Sequence, residues 1–225
     1  MAPVKVRSRC RRPAAAAGVT PREAIELLRE GNRRFVSGDH TAHDFGAQVE
    51  ATSAGQHPFA AVVGCIDSRV PPEIVFDQGL GDLFVVRVAG NVIGPDQLAS
   101  LEFACSLAGA RLVVILGHTR CGAVVGALEG RELGHLTGLL EKIRPAADVG
   151  GADGEARVPN DSAGTTVRSV PPTPELVAQV AEANVRLTIE RVRGESEVLV
   201  EMESAGEIAI VGAMYAVETG EVRFL

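Results

Sequence analysis

Apolar residues in this chain follow two rhythms. Three short runs, Phe59–Gly64, Leu83–Val88 and Leu112–Leu116, are apolar almost without a break and rich in Val, Leu or Ile. Strands buried on both faces, as in a parallel sheet, read this way. Elsewhere the apolar positions recur at helical spacing. Ile25, Leu28 and Phe35 follow Thr20-Pro21-Arg22-Glu23, in which Thr caps, Pro takes the first helical position and Glu reaches back. Gly38-Asp39-His40 closes that helix. A short helix near Pro72–Phe76 and a longer one near Asp96–Leu107 separate the apolar runs. Strands alternating with helices predict a parallel sheet with right-handed crossovers.

The C-terminal third continues the pattern. Thr173-Pro174-Glu175 opens a helix with Leu176, Val180 and Leu187 on one face and Gly194 as its stop. A short helix near Glu197–Glu203 follows. Ile208–Val217, the turn at Thr219-Gly220 and Val222–Leu225 read as a strand, a turn and a short partner strand. The expected architecture is α/β. One domain spans residues 20–225, with a central, mostly parallel β-sheet (about four parallel strands plus a short C-terminal strand) flanked by helices. Residues 1–19 read as a flexible N-terminal arm. Residues 145–172 are rich in Gly, Pro, Asp and Ser with almost no large apolar side chains, which predicts a long mobile surface loop.

Composition narrows the function classes. Of 225 residues, 46% are apolar and 23% charged, an ordinary globular balance, and the net charge of −7 argues against a nucleic-acid partner. No apolar stretch is long enough for a transmembrane helix. The basic, Ala-rich N-terminus lacks the apolar run of a secretory signal, which makes Arg11-Arg12 a weak twin-arginine candidate and favours a cytoplasmic location. The four cysteines, Cys10, Cys65, Cys105 and Cys121, do not resemble a disulfide framework in a chain of this size.

Two loops carry candidate chemistry. Cys65-Ile66-Asp67-Ser68-Arg69 follows the first apolar run directly, and His118-Thr119-Arg120-Cys121-Gly122 follows the third. In an open parallel sheet, loops at the carboxyl ends of strands face one crevice, so the two should meet. Two Cys and one His suit Zn²⁺ and are poor ligands for Mg²⁺ or Ca²⁺. Three ligands leave a coordination position for water, as catalytic zinc sites do. Cys121 stands where a helix begins (Gly122–Leu128), which should lower its thiol pKa. Each residue alone reads as a small buried hydrophobe or a structural His; the joint arrangement is far more specific.

The C-I-D-S-R-V and G-H-T-R-C-G-A segments resemble the two signatures of the β-class carbonic anhydrases. The resemblance continues through Phe84–Asn91, Ser100–Ala104 and Gly212–Gly220 and covers the N-terminal helix. It implies a zinc enzyme that hydrates CO2 to bicarbonate, with Cys65, His118 and Cys121 as permanent ligands. Asp67 and Arg69 would form the family's dyad, in which the aspartate either binds zinc as a fourth ligand in a closed state or pairs with the arginine. Gln56 matches a glutamine that binds bicarbonate, often across a dimer interface. Phe84 and Ala89 fall at positions lining the CO2 pocket; Phe103 is a further candidate for that slot and replaces a common tyrosine. Gly90 and Gly122 are candidates for close backbone approach to the site. Members with a regulatory bicarbonate pocket carry a tryptophan where Val62 stands here, which counts against that pocket, although Arg87 matches one of its residues.

The expected chemistry is hydroxide formed from zinc-bound water. Two thiolates cancel the metal's formal charge, which predicts a water pKa above the ~7 of a three-histidine site and activity rising toward alkaline pH. The resemblance also implies a homodimer or a dimer of dimers in which the N-terminal helix packs on a neighbour, with Ile25, Leu28 and Phe35 either supplying that contact or covering their own core. His40, His43, His57 and His135 are read as surface residues; one of them could shuttle protons. The rivals are a carbonyl sulfide or carbon disulfide hydrolase on the same scaffold, and a structural zinc module with Asp67 as a permanent fourth ligand.

Overall fold

The computed structural model describes residues 18–149, 157–159, 166–168 and 171–225. Helix α1 (Pro21–Ser37) starts on a full capping box: Thr20 Oγ1 accepts from the Glu23 amide, and Glu23 accepts from the Thr20 amide. Gly38 ends it in the left-handed conformation. Val19, expected in the arm, packs with α1 against the core. Helix α2 (Phe45–Thr52) leads to strand β1 (Ala60–Gly64). Then come helix α3 (Pro72–Val75), strand β2 (Leu83–Arg87), helix α4 (Pro95–Glu102), strand β3 (Leu112–His118) and helix α5 (Gly122–Leu128). Helices α6 (Gly134–Glu141) and α7 (Arg144–Val149) and the short strands β4 (Arg157–Pro159) and β5 (Thr166–Arg168) follow. The chain continues through helices α8 (Pro174–Glu195) and α9 (Glu197–Ser204) to strands β6 (Ala209–Tyr215) and β7 (Val222–Phe224).

The main sheet has the order β2-β1-β3-β6-β7, with the first four strands parallel and β7 antiparallel to β6. The runs of β1 and β3 are explained by burial on both faces, whereas β2, expected to be buried as well, is the edge strand and is only half-buried along its length. Ala61, Val63, Val113 and Ile115 face a core built with α4, α5 and α8. Ala60, Val62, Leu112, Val114 and Leu116 face a second core with Ala24, Leu28 and Phe76. Leu28 is therefore in its own chain's core, with Ile25 and Phe35 packed beside it. Asn32, buried on α1, clasps distant pieces together. Its amide donates to the carbonyls of Val75 and Gly220 and accepts from the Val222 amide.

Helix α8 lies directly on the sheet. A Cβ at Gly117 would come within 2.5 Å of Val185 and 2.7 Å of Met214, so only glycine lets β3 and α8 approach this closely.

Four expectations about elements are corrected. Residues 145–149 are not loop but the body of α7, because Ala146 and Ala147 are buried in the first core. Residues 157–159 and 166–168 pair as an antiparallel ribbon, and the rest of that segment lies outside the described residues. The helix from residue 95 turns into a π-helical turn at Phe103–Leu107 instead of running on as α-helix. Gly194 does not stop α8; Ser196 does, and its hydroxyl then caps α9 by accepting from the Leu199 amide.

Candidate metal centre

Parallel β1 and β3 are neighbours, so the loops that leave their carboxyl ends are side by side. Cys65 is the first residue past β1, His118 is the last of β3, and Cys121 is the residue from which α5 starts. Their candidate ligand atoms all lie within 4.8 Å of one another, and all three side chains are buried. The imidazole is set for coordination. His118 Nδ1 lies 2.8 Å from the Thr119 carbonyl, so Nδ1 carries the proton and Nε2 presents its lone pair. That Nε2 is buried and has no hydrogen-bond partner among the described residues. An orphaned buried acceptor flanked by two thiols is a costly arrangement unless something electrophilic sits among them, and the donor set fits Zn²⁺.

The two thiols titrate as a pair. Cys65 is drawn down to about 4, chiefly by the Cys121 thiol donating to it and also by the Gly90 amide, against the opposing effect of burial. Cys121 is pushed up by the same Cys65 interaction and by burial. The helix start acts on Cys121 in the expected direction but does not act alone. The amides of Val124 and Ala123 do favour its thiolate, but the neighbouring Cys65 charge outweighs them.

Asp67 and Arg69 are paired bidentately. Arg69 Nε donates to Asp67 Oδ1 (2.9 Å) and Nη2 donates to Oδ2 (2.7 Å), while the Arg69 amide also donates to Oδ1 (3.0 Å). The guanidinium holds the Asp67 carboxyl at about 2, with burial opposing. Asp67 Oδ2 stands 4.0 Å from His118 Nε2. Arg87, at the end of β2, donates to the carbonyls of Cys65 (2.8 Å) and Asp67 (2.6 Å) and so braces this loop against the sheet. Its guanidinium is engaged by backbone.

Gly90 closes the site from the turn after β2. Its amide donates to Cys65 Sγ (3.3 Å), and its carbonyl accepts from the buried Asn184 side chain on α8 (2.8 Å). It has φ +66, and a Cβ there would lie 2.5 Å from Ile143 Cδ1. Gly122 is a different case: it is exposed, and among the described residues a Cβ there would meet nothing within 4 Å.

The other expected pocket residues are not all gathered here. Ala89 is half-buried next to Gly90. Phe84 and Phe103 meet edge to face (6.2 Å between centroids), but in a hollow of about 450 Å³ at the sheet edge that none of the three candidate ligands lines. Gln56 is exposed between α2 and β1. His43 is more enclosed than expected: it sits 3.6 Å from Asp77, within hydrogen-bonding distance of Gln48. Cys105 is buried in the π-helical turn, its thiol pushed up to about 12 by burial, and Cys10 lies outside the described residues.

Sequence reasoning missed Asn184, Ile143 and Glu218. Asn184 had a signal, a polar residue amid Val177, Val180, Ala181 and Val185 on the inward face of α8. Glu218, in the turn between β6 and β7, had none. It accepts from Arg120 Nε and from Thr119 Oγ1 (2.7 Å).

Comparisons with known proteins agree with this geometry. A family model described as carbonic anhydrase matches residues 60–222. Carbonic anhydrase 2 of Mycobacterium tuberculosis is 36% identical over 207 residues, covering 89% of this chain and 90% of that protein. The β-carbonic anhydrase CafA of Aspergillus fumigatus superimposes with a TM-score of 0.65 at 31% identity, covering 80% of this chain and 81% of CafA. A tetrameric β-carbonic anhydrase of Sordaria macrospora shares the fold, with a TM-score of 0.65 at 24% identity over 80% of this chain and 90% of its own.

Proposed function

The chain belongs to the β-carbonic anhydrase family and is a carbonate dehydratase, and from that premise we propose that Cys65, His118 and Cys121 hold a zinc ion beside an Asp67–Arg69 dyad that orients the nucleophile. The observation that carries this reading is the buried, partnerless Nε2 of His118 between two thiols. Zinc, when bound, supplies the Lewis acidity that turns water into a nucleophile near neutral pH. Two thiolate ligands moderate that acidity, so activity rises toward alkaline pH.

The chain's own residues do the rest. Cys65 is acidic already, which eases metal uptake, since ligands must lose their protons on binding. The Gly90 amide bonded to its sulfur fixes the thiolate's direction. Asp67, kept ionised by Arg69, accepts the proton of the attacking water in a hydrogen bond and turns a lone pair toward CO2. Arg69 also sets how far Asp67 can travel. With the pair intact the carboxylate is held on Arg69, and with the pair broken Asp67 would be free to join Cys65, His118 and Cys121 in holding the metal. Charge-assisted hydrogen bonds of this kind contribute only ~1.5–3 kcal/mol each, small enough for such an exchange.

We further propose a homo-oligomer. Strand β2 is an edge strand whose residues are all half-buried, with Phe103 exposed alongside, a surface suited to a second copy. In that reading Gln56, Phe84 and Phe103 serve the substrate pocket across the interface.

Stopped-flow CO2 hydration from neutral to alkaline pH, with zinc content measured on the same sample, tests the proposal. Zinc-loaded protein that is inactive at every pH ends it. Asp67→Asn should lower the maximal rate and abolish any shut-off toward low pH; an unchanged profile would exclude the dyad's role.

A further inference from the structure

We propose that Glu218 is a positioning residue for the metal loop: it clamps Thr119 and Arg120, the two residues between His118 and Cys121, and through the Arg120 carbonyl holds Arg69 against Asp67.

The clamp answers a geometric demand. His118 ends a strand and Cys121 starts a helix, so two residues must reverse the chain between two ligands. Arg120 meets that demand with φ +54, a conformation non-glycine residues rarely adopt unless their surroundings enforce it. The β6–β7 turn supplies the enforcement. Glu218 Oε1 accepts from Arg120 Nε, and Oε2 accepts from Thr119 Oγ1 at 2.7 Å. That hydroxyl in turn accepts from the Val217 amide (3.0 Å), and the Thr119 amide donates to the Tyr215 carbonyl (2.9 Å). The Thr119 carbonyl, fixed by these contacts, is the one that accepts from His118 Nδ1. The Arg120 carbonyl accepts from Arg69 Nη2 at 3.3 Å, and the same Nη2 holds Asp67 Oδ2 at 2.7 Å. One carboxylate thus reaches both the histidine ligand and the dyad, each through one intermediary.

An exposed ion pair alone would matter little. The clamp differs because its partners lie inside the loop whose shape it sets. The inference rests on the zinc reading above. The experiment uses the full zinc-loaded chain as wild type, Glu218→Gln, Arg120→Gln, the double variant, and Glu129→Gln, which breaks an exposed pair with Arg131 outside the site. Zinc release to a colorimetric chelator, kcat and KM for CO2 hydration, and thermal midpoint are measured. Glu218→Gln is expected to speed zinc release and lower kcat about tenfold, as loss of a group that orients a ligand does, with KM and midpoint little changed. The double variant should be no worse than the worse single one. Glu129→Gln should change nothing. Wild-type zinc release and kcat in Glu218→Gln, additive losses in the double variant, or an equal effect in Glu129→Gln would each overturn the clamp alone. A wild-type chain that takes up no zinc overturns both readings.

Discussion

Gly90→Ala is the most direct probe of how the site is packed. The substitution imposes two costs. Alanine at φ +66 occupies the left-handed region, which costs about 1–2 kcal/mol for a residue with a Cβ. Its methyl would also sit 2.5 Å from Ile143 Cδ1 and 3.2 Å from the Ala123 Cβ. Overpacking of that kind costs typically about 1–3 kcal/mol, and because Cδ1 is the free end of a side chain the lower half of the range applies. The sum is about 2–4 kcal/mol of folding stability. Any shift that relieves the clash also moves the Gly90 amide off Cys65 Sγ, so zinc should dissociate faster. Urea denaturation of zinc-free and zinc-loaded protein gives the first quantity, and zinc transfer to a chelator gives the second. Ile143→Val removes Cδ1 itself and on its own costs about 0.5–1.5 kcal/mol. The double variant Gly90→Ala with Ile143→Val should recover the steric share, leaving a favourable coupling of about 1 kcal/mol between the two sites. Strict additivity, or a loss below about 1 kcal/mol for Gly90→Ala alone, would refute the argument from close approach.

Other outcomes follow from neighbouring contacts. Asn184→Ala strands the Gly90 carbonyl without its donor in the core and should cost about 1–3 kcal/mol, read by the same denaturation. The Asp67–Arg69 pair lowers the Asp67 pKa from its ordinary 3.8 to about 2, so its stabilisation is complete above pH 3.8 and lost as pH falls through about 2. Wild type and Arg69→Gln should therefore differ in stability by a constant amount at neutral and mildly acidic pH and converge only in strong acid. Chelation of zinc should lower the thermal midpoint, the lost binding amounting to about 2.7 kcal/mol when free zinc stood at a hundred times Kd. In the zinc-free chain, iodoacetamide followed by mass spectrometry should find Cys65, held at about 4, labelled well before Cys105, pushed up to about 12.

The parallel sheet was legible because burial on both faces leaves no polar position in β1, and none in β3 before His118, a pattern few other environments produce. The candidate metal ligands were legible because strand ends fix where Cys65 and His118 emerge, and the spacing to Cys121 allows only a tight loop. Helix α7 was hidden because Ala146 and Ala147, the residues that anchor it, carry almost no hydrophobic signal amid Pro, Asp and Gly. The supporting residues were hidden for another reason. Arg87 acts on backbone carbonyls and Glu218 on other side chains, and such contacts leave no periodicity or spacing to read, whereas Asn184 shows only as a polar position on the inward face of α8. The acidity of Cys65 was likewise unreadable, since it depends on which thiol donates to which.

The clasp at Asn32 sets a timetable for synthesis. Its partner at Gly220 is 188 residues further along the chain. At about 5–20 residues per second, a ribosome delivers that partner roughly 10–40 s after α1 has been made. Through that interval Ala24 and Leu28 can pack on the earlier-made α3 and β3, but the turn that fastens the helix is still missing, so a chain cut short before Gly220 should hold α1 loosely.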